Sequence, residues 1–286
     1  MTTRHLERPD ISEFDYHRFC EYFYRRTGIA FGESKRYYVD KRLLERMAKT
    51  GVKNFDQYFS KLRHSGPHGE LERLINLFTI NETYFYREAH QFDCLVNNLL
   101  PELIAGRPRG ARLRIWSLPC STGEEPYSIA LYLMENWKQL EDYEIELIGS
   151  DINTAALEAA RAGIYETRAL QRLPRDIAQR YFSPRGENAF QLADAVRQCV
   201  HFTQVNAADP YAMAKLGPFD VIFCRNMLIY FNDRSRAQTC ESLYDCLREG
   251  GFLCLGHSES MSRMSSLFTI RSFPQGLIYQ KPGGTP

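Results

Sequence analysis

The 286-residue chain contains no pair of cysteines in C-x-x-C spacing. Its eight cysteines stand at 20, 94, 120, 199, 224, 240, 246 and 254, several inside apolar, strand-like runs. That scatter excludes a zinc ribbon and a disulfide framework; buried thiols in a reducing cytoplasm are the expectation, with no metal site. Long apolar runs are also missing: none approaches the roughly 20 residues that span a bilayer. The opening MTTRHLERPD is polar, carries no apolar signal region and is expected to be frayed, so neither secretion nor membrane insertion is anticipated. Charge excess is absent too. A formal net charge of +1 supplies no global field to recruit nucleic acid and leaves only local patches as candidates. Neither internal repeats nor low-complexity segments are visible.

The stretch Leu113–Ala130, LRIWSLPCSTGEEPYSIA, lacks something more specific. An apolar strand (Leu113 to Trp116) runs into a turn of small residues and then into an apolar-periodic helix, the layout of a nucleotide-binding loop. The glycine fingerprint of dinucleotide folds is not there: only Gly123 is glycine, and Pro119 and Ser121 stand where others would be. Glu124 and Glu125 open the helix, a start that repels a pyrophosphate. A cationic or zwitterionic ligand carrying an adenosine fits better, and S-adenosylmethionine is the obvious one. The bland alternative is a strand–turn–helix with an ordinary acidic N-terminus.

Around this stretch the chain changes character. From Ile11 to about Gly106 there is no convincing strand. Ser12 caps a helix carrying Phe14, Phe19 and Phe23; a second runs from Ser34 to Lys49 with Val39, Leu43, Leu44 and Met47 as its stripe; others cover 55–62 and the 71–78 region. A long helix is expected over 89–104, ending at the turn-rich Gly106–Gly110. From Ala111 short apolar strands alternate with helices, which implies a parallel sheet covered on both faces. Strands are expected at 112–117, 145–150, 201–205, 219–224 and 252–256, and helices at 126–140, 154–161, 174–181 and 233–247. Glu249-Gly250-Gly251 is the expected stop of the last helix. Strands at 267–271 and 277–280 pair as an antiparallel edge hairpin. A small β excursion is expected at about 183–200, with pieces at 190–192 and 196–198. The resulting division is a helical region 1–88, a helix and linker 89–110, and an α/β region 111–286.

Ligands in open parallel sheets sit at the carboxyl ends of the strands. Asp151, after the second strand, can take both hydroxyls of a ribose, or it can cap the next helix, a task Asn153 suits as well. Asn206 and Ala207, after the third, either admit an adenine to the backbone or form a plain turn. After the fourth come Arg225 and Asn226, then an apolar run to Tyr230, whose hydroxyl either meets a substrate or belongs to a core tyrosine. The helix 34–49 carries Lys35, Arg36, Lys41, Arg42, Arg46 and Lys49 against only Asp40 and Glu45. It is either a solvated face or a docking surface for an acidic partner.

The motifs TINETYFYRE (79–88), SLPCSTGEEPYSIA (117–130), SDIN (150–153), FCRNMLIYF (223–231) and GHSES (256–260), in this order, resemble the chemoreceptor glutamate O-methyltransferases, the CheR family, from about residue 12 to 281. The resemblance implies an all-helical N-terminal domain joined to an S-adenosylmethionine-binding, Rossmann-like α/β domain with a small β subdomain. It implies transfer of a methyl group to receptor glutamates with S-adenosylhomocysteine as product, in the cytoplasm, by a monomer whose basic helix 34–49 meets the acidic methylation helices of receptors. By motif, Asn81, Thr83 and Arg87 would bound the cofactor pocket; one of Glu124 and Glu125 would meet the methionine ammonium; Asp151 would hold the ribose; Asn206, Ala207, Arg225 and Asn226 would line the rest. Arg87 and Tyr230 would be catalytic, facing the transferred methyl and the acceptor carboxylate. The β insert looks shorter than in members that grip a receptor tether peptide, which implies recognition independent of such a tether. A base N-methyltransferase is disfavoured, since Met227-Leu228 rather than a proline pair follows Asn226; a non-catalytic cofactor sensor is disfavoured by Arg87, Asp151 and Tyr230.

Overall fold

The computed structural model describes residues 11–261 and 266–283, so the frayed terminus expected at 1–10 lies outside the described residues. The chain parts into two compact units between Thr79 and Ile80. The first is helical. Helix α1 (Glu13–Thr27) starts where the Ser12 side chain accepts the Asp15 N–H, and stops at Gly28 in the left-handed region. Helices α2 (Arg36–Thr50), α3 (Phe55–Arg63, capped by Asn54) and α4 (Glu70–Phe78) follow. Phe19, Phe23, Val39, Leu43, Met47, Tyr58 and Leu74 are buried between them. Of the aromatic residues on α1, Phe14 is 73% exposed, and Tyr16, Phe19 and Phe23, at i, i+3 and i+7, take the buried face.

The basic face of α2 is divided. Arg46 forms a bidentate pair with the buried Glu70 (2.8 and 2.9 Å), which also accepts the Tyr58 hydroxyl at 2.7 Å. Burial pushes the Glu70 carboxyl up, but the bonds from Arg46 and Tyr58 outweigh it and hold it below the ordinary range. Arg42 donates to the Leu77 carbonyl and lies 3.5 Å from the Tyr38 ring centroid; Arg36 reaches the Ile11 carbonyl and Asp40. Lys35, Lys41 and Lys49 remain exposed. Half of the expected docking face is therefore internal structure.

The second unit begins earlier than the linker at 106–110 suggests. Phe85 and Tyr86 are buried in its core, Phe85 edge-on to Tyr165 and Phe182, and its N–H bonds to the Ala169 carbonyl. Burial of two large rings fastens residues 80–88 to the sheet unit. Next comes a continuous helical rod: α5 (His90–Cys94), a π-helical turn (Leu95–Leu99) and α6 (Leu100–Ile104).

The main sheet has seven strands in the order β6-β2-β1-β7-β8-β10-β9. These are β1 (Arg112–Ser117), β2 (Glu144–Asp151), β6 (Val200–Gln204), β7 (Phe219–Cys224) and β8 (Leu247–Leu255), mutually parallel, with β10 (Gly276–Gln280) and β9 (Thr269–Phe273) antiparallel at one edge. Its helices are α7 (Glu124–Asn136), α8 (Thr154–Ala162), α11 (Pro210–Ala214) and α12 (Asp233–Asp245). The apolar runs read from the sequence are these strands; Trp116 is fully buried, stacked on Phe219, with its indole N–H given to Ser150. The chain first winds outward through β2 and β6, then returns to the other side of β1. That reversal opens a crevice at the carboxyl end of β1.

Two local expectations are corrected. Gly250 and Gly251 do not stop α12; they lie inside β8, Gly250 at φ +75°, where the register against β7 shifts between Phe219 and Val221. A Cβ on Gly251 would come within 2.9 Å of the Arg248 carbonyl, so this bulge needs glycine. The β excursion is a separate three-stranded sheet, order β3-β5-β4, from β3 (Ile164–Glu166), β4 (Phe182–Pro184) and β5 (Ala189–Leu192), with α9 (Arg175–Tyr181) between the first two. It starts at 164, not 183. Residues 196–198 are not a strand: α10 (Asp194–Arg197) covers most of them. Six of the eight cysteines are buried and Cys20 half-buried; Cys199 departs from expectation and is exposed. Among the described residues, no helix is long and apolar enough to cross a membrane, and no group of three or more His, Cys, Asp or Glu side chains forms a metal site.

Candidate functional site

The turn after β1 is tied to the strands on both sides. Leu118 N–H bonds to the Phe223 carbonyl on β7, and Cys120 N–H to the Ser150 carbonyl on β2, each at 2.8 Å. Ser121, at φ +49°, gives its N–H to Asp151 Oδ2 at 2.8 Å. The single glycine serves packing as well as conformation: at Gly123 (φ +94°) a Cβ would stand 2.9 Å from the Ala160 Cβ of α8 and 3.1 Å from the Tyr165 hydroxyl. It lets α7 begin close against α8 and β3.

The structure separates the two glutamates at the head of α7. Glu124 is buried, bonded by the Thr122 hydroxyl at 2.6 Å, and burial pushes its carboxyl up. Glu125 faces a cleft of about 480 Å³, mouth included, lined by Thr83, Arg87, Cys120, Ser121, Arg225 and Asn226 among others. Its carboxylate accepts the Ser117 hydroxyl at 2.8 Å and the Arg225 guanidinium at 2.9 Å. Burial pushes it up as well, with Arg225 opposing.

Arg225 is the hub of this cleft. The residue is 4% exposed, and its guanidinium reaches Glu125, the Arg87 carbonyl (2.8 Å) and Glu88 (3.2 Å). Its Nε is buried with no hydrogen-bond partner among the described residues. Glu88 in turn meets His257 Nδ1 at 2.9 Å and accepts from Gln91 at 3.1 Å. Burial pushes the Glu88 carboxyl up, yet Arg225 and His257 bring it below the ordinary range. Arg87 gives a guanidinium N–H to the Glu82 carbonyl at 3.0 Å; among the described residues it makes no ion pair. The cleft therefore offers a carboxylate–guanidinium couple, an unpaired buried donor and a second guanidinium. This donor set suits a ligand carrying an ammonium and a carboxylate on one end, as the methionine part of S-adenosylmethionine does.

Of the residues named from sequence, Thr83, Arg87, Glu125, Arg225 and Asn226 line the cleft. Glu124 points elsewhere. Asn81 touches the turn through Ser121 Oγ at 3.5 Å without lining the cleft. Asp151 stands behind Ser121, 4% exposed, its other oxygen accepting the Asn153 N–H at 2.9 Å, while Asn153 caps α8. Asn206 closes a local turn: its side-chain oxygen accepts the Ala208 N–H and its carbonyl the Asp209 N–H. Ala207 is buried beside it, its carbonyl taking the Thr239 hydroxyl. Tyr230 is neither core nor cleft: it sits 39% exposed on the turn Leu228–Tyr230.

Sequence reasoning missed Glu88, His257 and Glu259. Glu259 accepts three main-chain N–H groups, from Asn226, Leu228 and Gly256, between 2.7 and 3.0 Å. Burial pushes its carboxyl up against those donors. The rule that finds Asp151 and Arg225, inspecting the residues just past each strand, finds His257 and Glu259 too once it is applied to the fifth parallel strand.

Comparison with known proteins agrees across both units. Residues 15–79 match the family model described as CheR methyltransferase, all-alpha domain, and residues 81–277 the one described as CheR methyltransferase, SAM binding domain. The chain is 50% identical over 272 residues to a chemotaxis protein methyltransferase 2 of Vibrio cholerae, covering 95% of this chain and 94% of that protein. It is 36% identical over 277 residues to the chemotaxis protein methyltransferase of Escherichia coli, covering 93% and 91%. Against chemotaxis protein methyltransferase Cher2 of Pseudomonas putida the identity is 34% over 271 residues, covering 93% and 97%.

Proposed function

The chain belongs to the CheR methyltransferase family and uses S-adenosylmethionine, and from that premise we propose that it esterifies glutamate side chains of chemoreceptors, with S-adenosylhomocysteine as product. The observation that carries this reading is Arg87. A guanidinium on the cleft wall, held by a carbonyl rather than a carboxylate, is free to orient an acceptor carboxylate. The cofactor supplies an electrophilic methyl group on a sulfonium centre. Glu125 and Arg225 would hold the ammonium and carboxylate of its methionine end, with Thr83 and Asn226 beside them. Asp151 would keep the ribose, and Asn81, Asn206 and Ala207 the outer parts of the adenosine.

A glutamate side chain is already ionised at neutral pH, so the chain has no proton to remove and needs no general base. Arg87 orients the carboxylate with a grip weak enough to leave it nucleophilic. Alignment and the replacement of water around the carboxylate carry the rate. Tyr230, at the exposed end of its turn, would meet the incoming peptide rather than the reacting atoms. Lys41 and Lys49, both exposed on α2, would give the receptor helices a basic contact. The enzyme would act as a monomer in the cytoplasm.

Labelled methyl transfer from S-adenosylmethionine to receptor-containing membranes tests the activity. Alkali-labile label marks an ester; alkali-stable label would mean N-methylation and sink the reading. Charge reversal of Lys41 and Lys49 together should slow receptor methylation several-fold at low salt and less at high salt. Equal rates at low salt would remove α2 from docking. Asp151→Ala should weaken S-adenosylhomocysteine binding about tenfold or more, since hydrogen bonds to a charged group are worth about 1.5–3 kcal/mol. Unchanged affinity by calorimetry would contradict the ribose contact.

A further inference from the structure

The GHSES segment takes no part in the chemistry above, yet its Glu259 bonds the main chain of the cleft wall directly. Glu259 is 8% exposed, and its carboxylate accepts the N–H groups of Asn226 (2.7 Å), Leu228 (2.8 Å) and Gly256 (3.0 Å). Two of those donors belong to the loop leaving β7, the third to the end of β8. Asn226 is held at φ +59°, in the left-handed region that few non-glycine residues occupy and that asparagine enters most readily of them. Gly256 is closed in from the same side: a Cβ there would lie 2.9 Å from Asn226 Nδ2 and 2.9 Å from Glu259 Oε2.

We infer that Glu259 is a positioning residue of the cofactor cleft, its carboxylate clasping the main chain at Asn226 and Leu228 so that Arg225 and Asn226 are presented on the cleft wall. Three charge-assisted bonds converge on one buried carboxylate, and a loop in an uncommon conformation is thereby fixed at its first residue beyond Arg225. Removing the charge leaves at least one buried N–H without its acceptor, and the loop relaxes toward ordinary backbone angles. Arg225 then loses its alignment with Glu125 although neither has been altered.

The inference rests on the reading of this cleft as the cofactor's site, and its test is equilibrium binding of S-adenosylhomocysteine, which does not depend on which acceptor is methylated. Full-length E259Q, E259D and D220N are compared with the unaltered chain by calorimetry and thermal unfolding. Asp220 is a buried carboxylate at the opposite end of β7, bound to Arg107 and to the Arg114 N–H, and D220N reports general destabilisation of the same unit. E259Q should lose tenfold or more in affinity and E259D should recover part of it. D220N should lose comparable stability while binding within twofold of the unaltered chain. Should E259Q fail to fold, Gly256→Ala crowds the clasp with the charge intact and should show the same loss. E259Q or G256A binding as tightly as the unaltered chain overturns the inference, as does an equal loss in D220N. An unaltered chain that does not bind overturns the cleft assignment and this inference together.

Discussion

Arg87→Ala should lower methyl transfer at least about a hundredfold at saturating cofactor and acceptor, the scale on which small misplacements of reacting groups act. The side chain carries little of the fold: it is partly exposed and holds only the Glu82 carbonyl and a loose approach to the Tyr84 ring at 5.8 Å. Thermal unfolding should therefore move little. Cofactor affinity should change far less than turnover, because Glu125 and Arg225 keep their own pairing. Arg87→Lys retains the charge and loses the planar fork, so it should restore part of the rate and less of the acceptor affinity. Turnover within tenfold of the unaltered enzyme in Arg87→Ala would take Arg87 out of the catalytic set.

Glu70→Ala should have the largest effect on stability, about 3–5 kcal/mol, the usual cost of removing one partner of a buried ion pair. The Glu70 side chain is 1% exposed and Arg46 16%, so the guanidinium left behind has little water to turn to, and the Tyr58 hydroxyl loses its acceptor as well. For a helical unit this small, each kcal/mol moves the midpoint about 4–8 °C, so its transition should fall by well over ten degrees. Combining Glu70→Ala with Arg46→Leu should return part of the loss by removing the stranded charge. A midpoint within about 2 °C of the original in Glu70→Ala would show the pair to be incidental. Lys49→Glu, on an exposed position of the same helix, should stay within about 0.5 kcal/mol. The contrast separates the cations of α2 that build the unit from those that face outward.

That contrast also marks what a sequence can convey. Strand and helix order are legible because the signals are local: RLRIWS and FDVIFC bury the residues their patterns single out, and the stripe of α2 buries Val39, Leu43 and Met47 while Leu44 stays half-exposed. Asp151 and Arg225 can be found because a parallel sheet puts its chemistry just beyond its strands. Partnership across long separations cannot be read in the same way. Nothing local distinguishes Arg46 from Lys49, yet the partner of Arg46 lies 24 residues away. Nothing in GEE says which glutamate faces the cleft; it is Glu125, bonded by Arg225 100 residues on. Residues 80–88 precede the linker and so read as part of the helical region, and only the burial of Phe85 and Tyr86 moves them to the sheet. The glycines at 250 and 251 carry a real conformational signal, but a bulge and a helix stop draw on the same backbone freedom.

The seam between Thr79 and Ile80 has a consequence for how such enzymes can be recombined. Every residue lining the cleft, from Ile80 to Asn226, lies on one side of it. A crossover placed there would exchange the helical unit of one relative for another without cutting a single wall of the cleft. A crossover at the more obvious glycine-rich linker would carry Arg87 and Glu88 away from Arg225. The helical unit and the cleft are thus separable cassettes, and a duplicated gene can change one while inheriting the other whole.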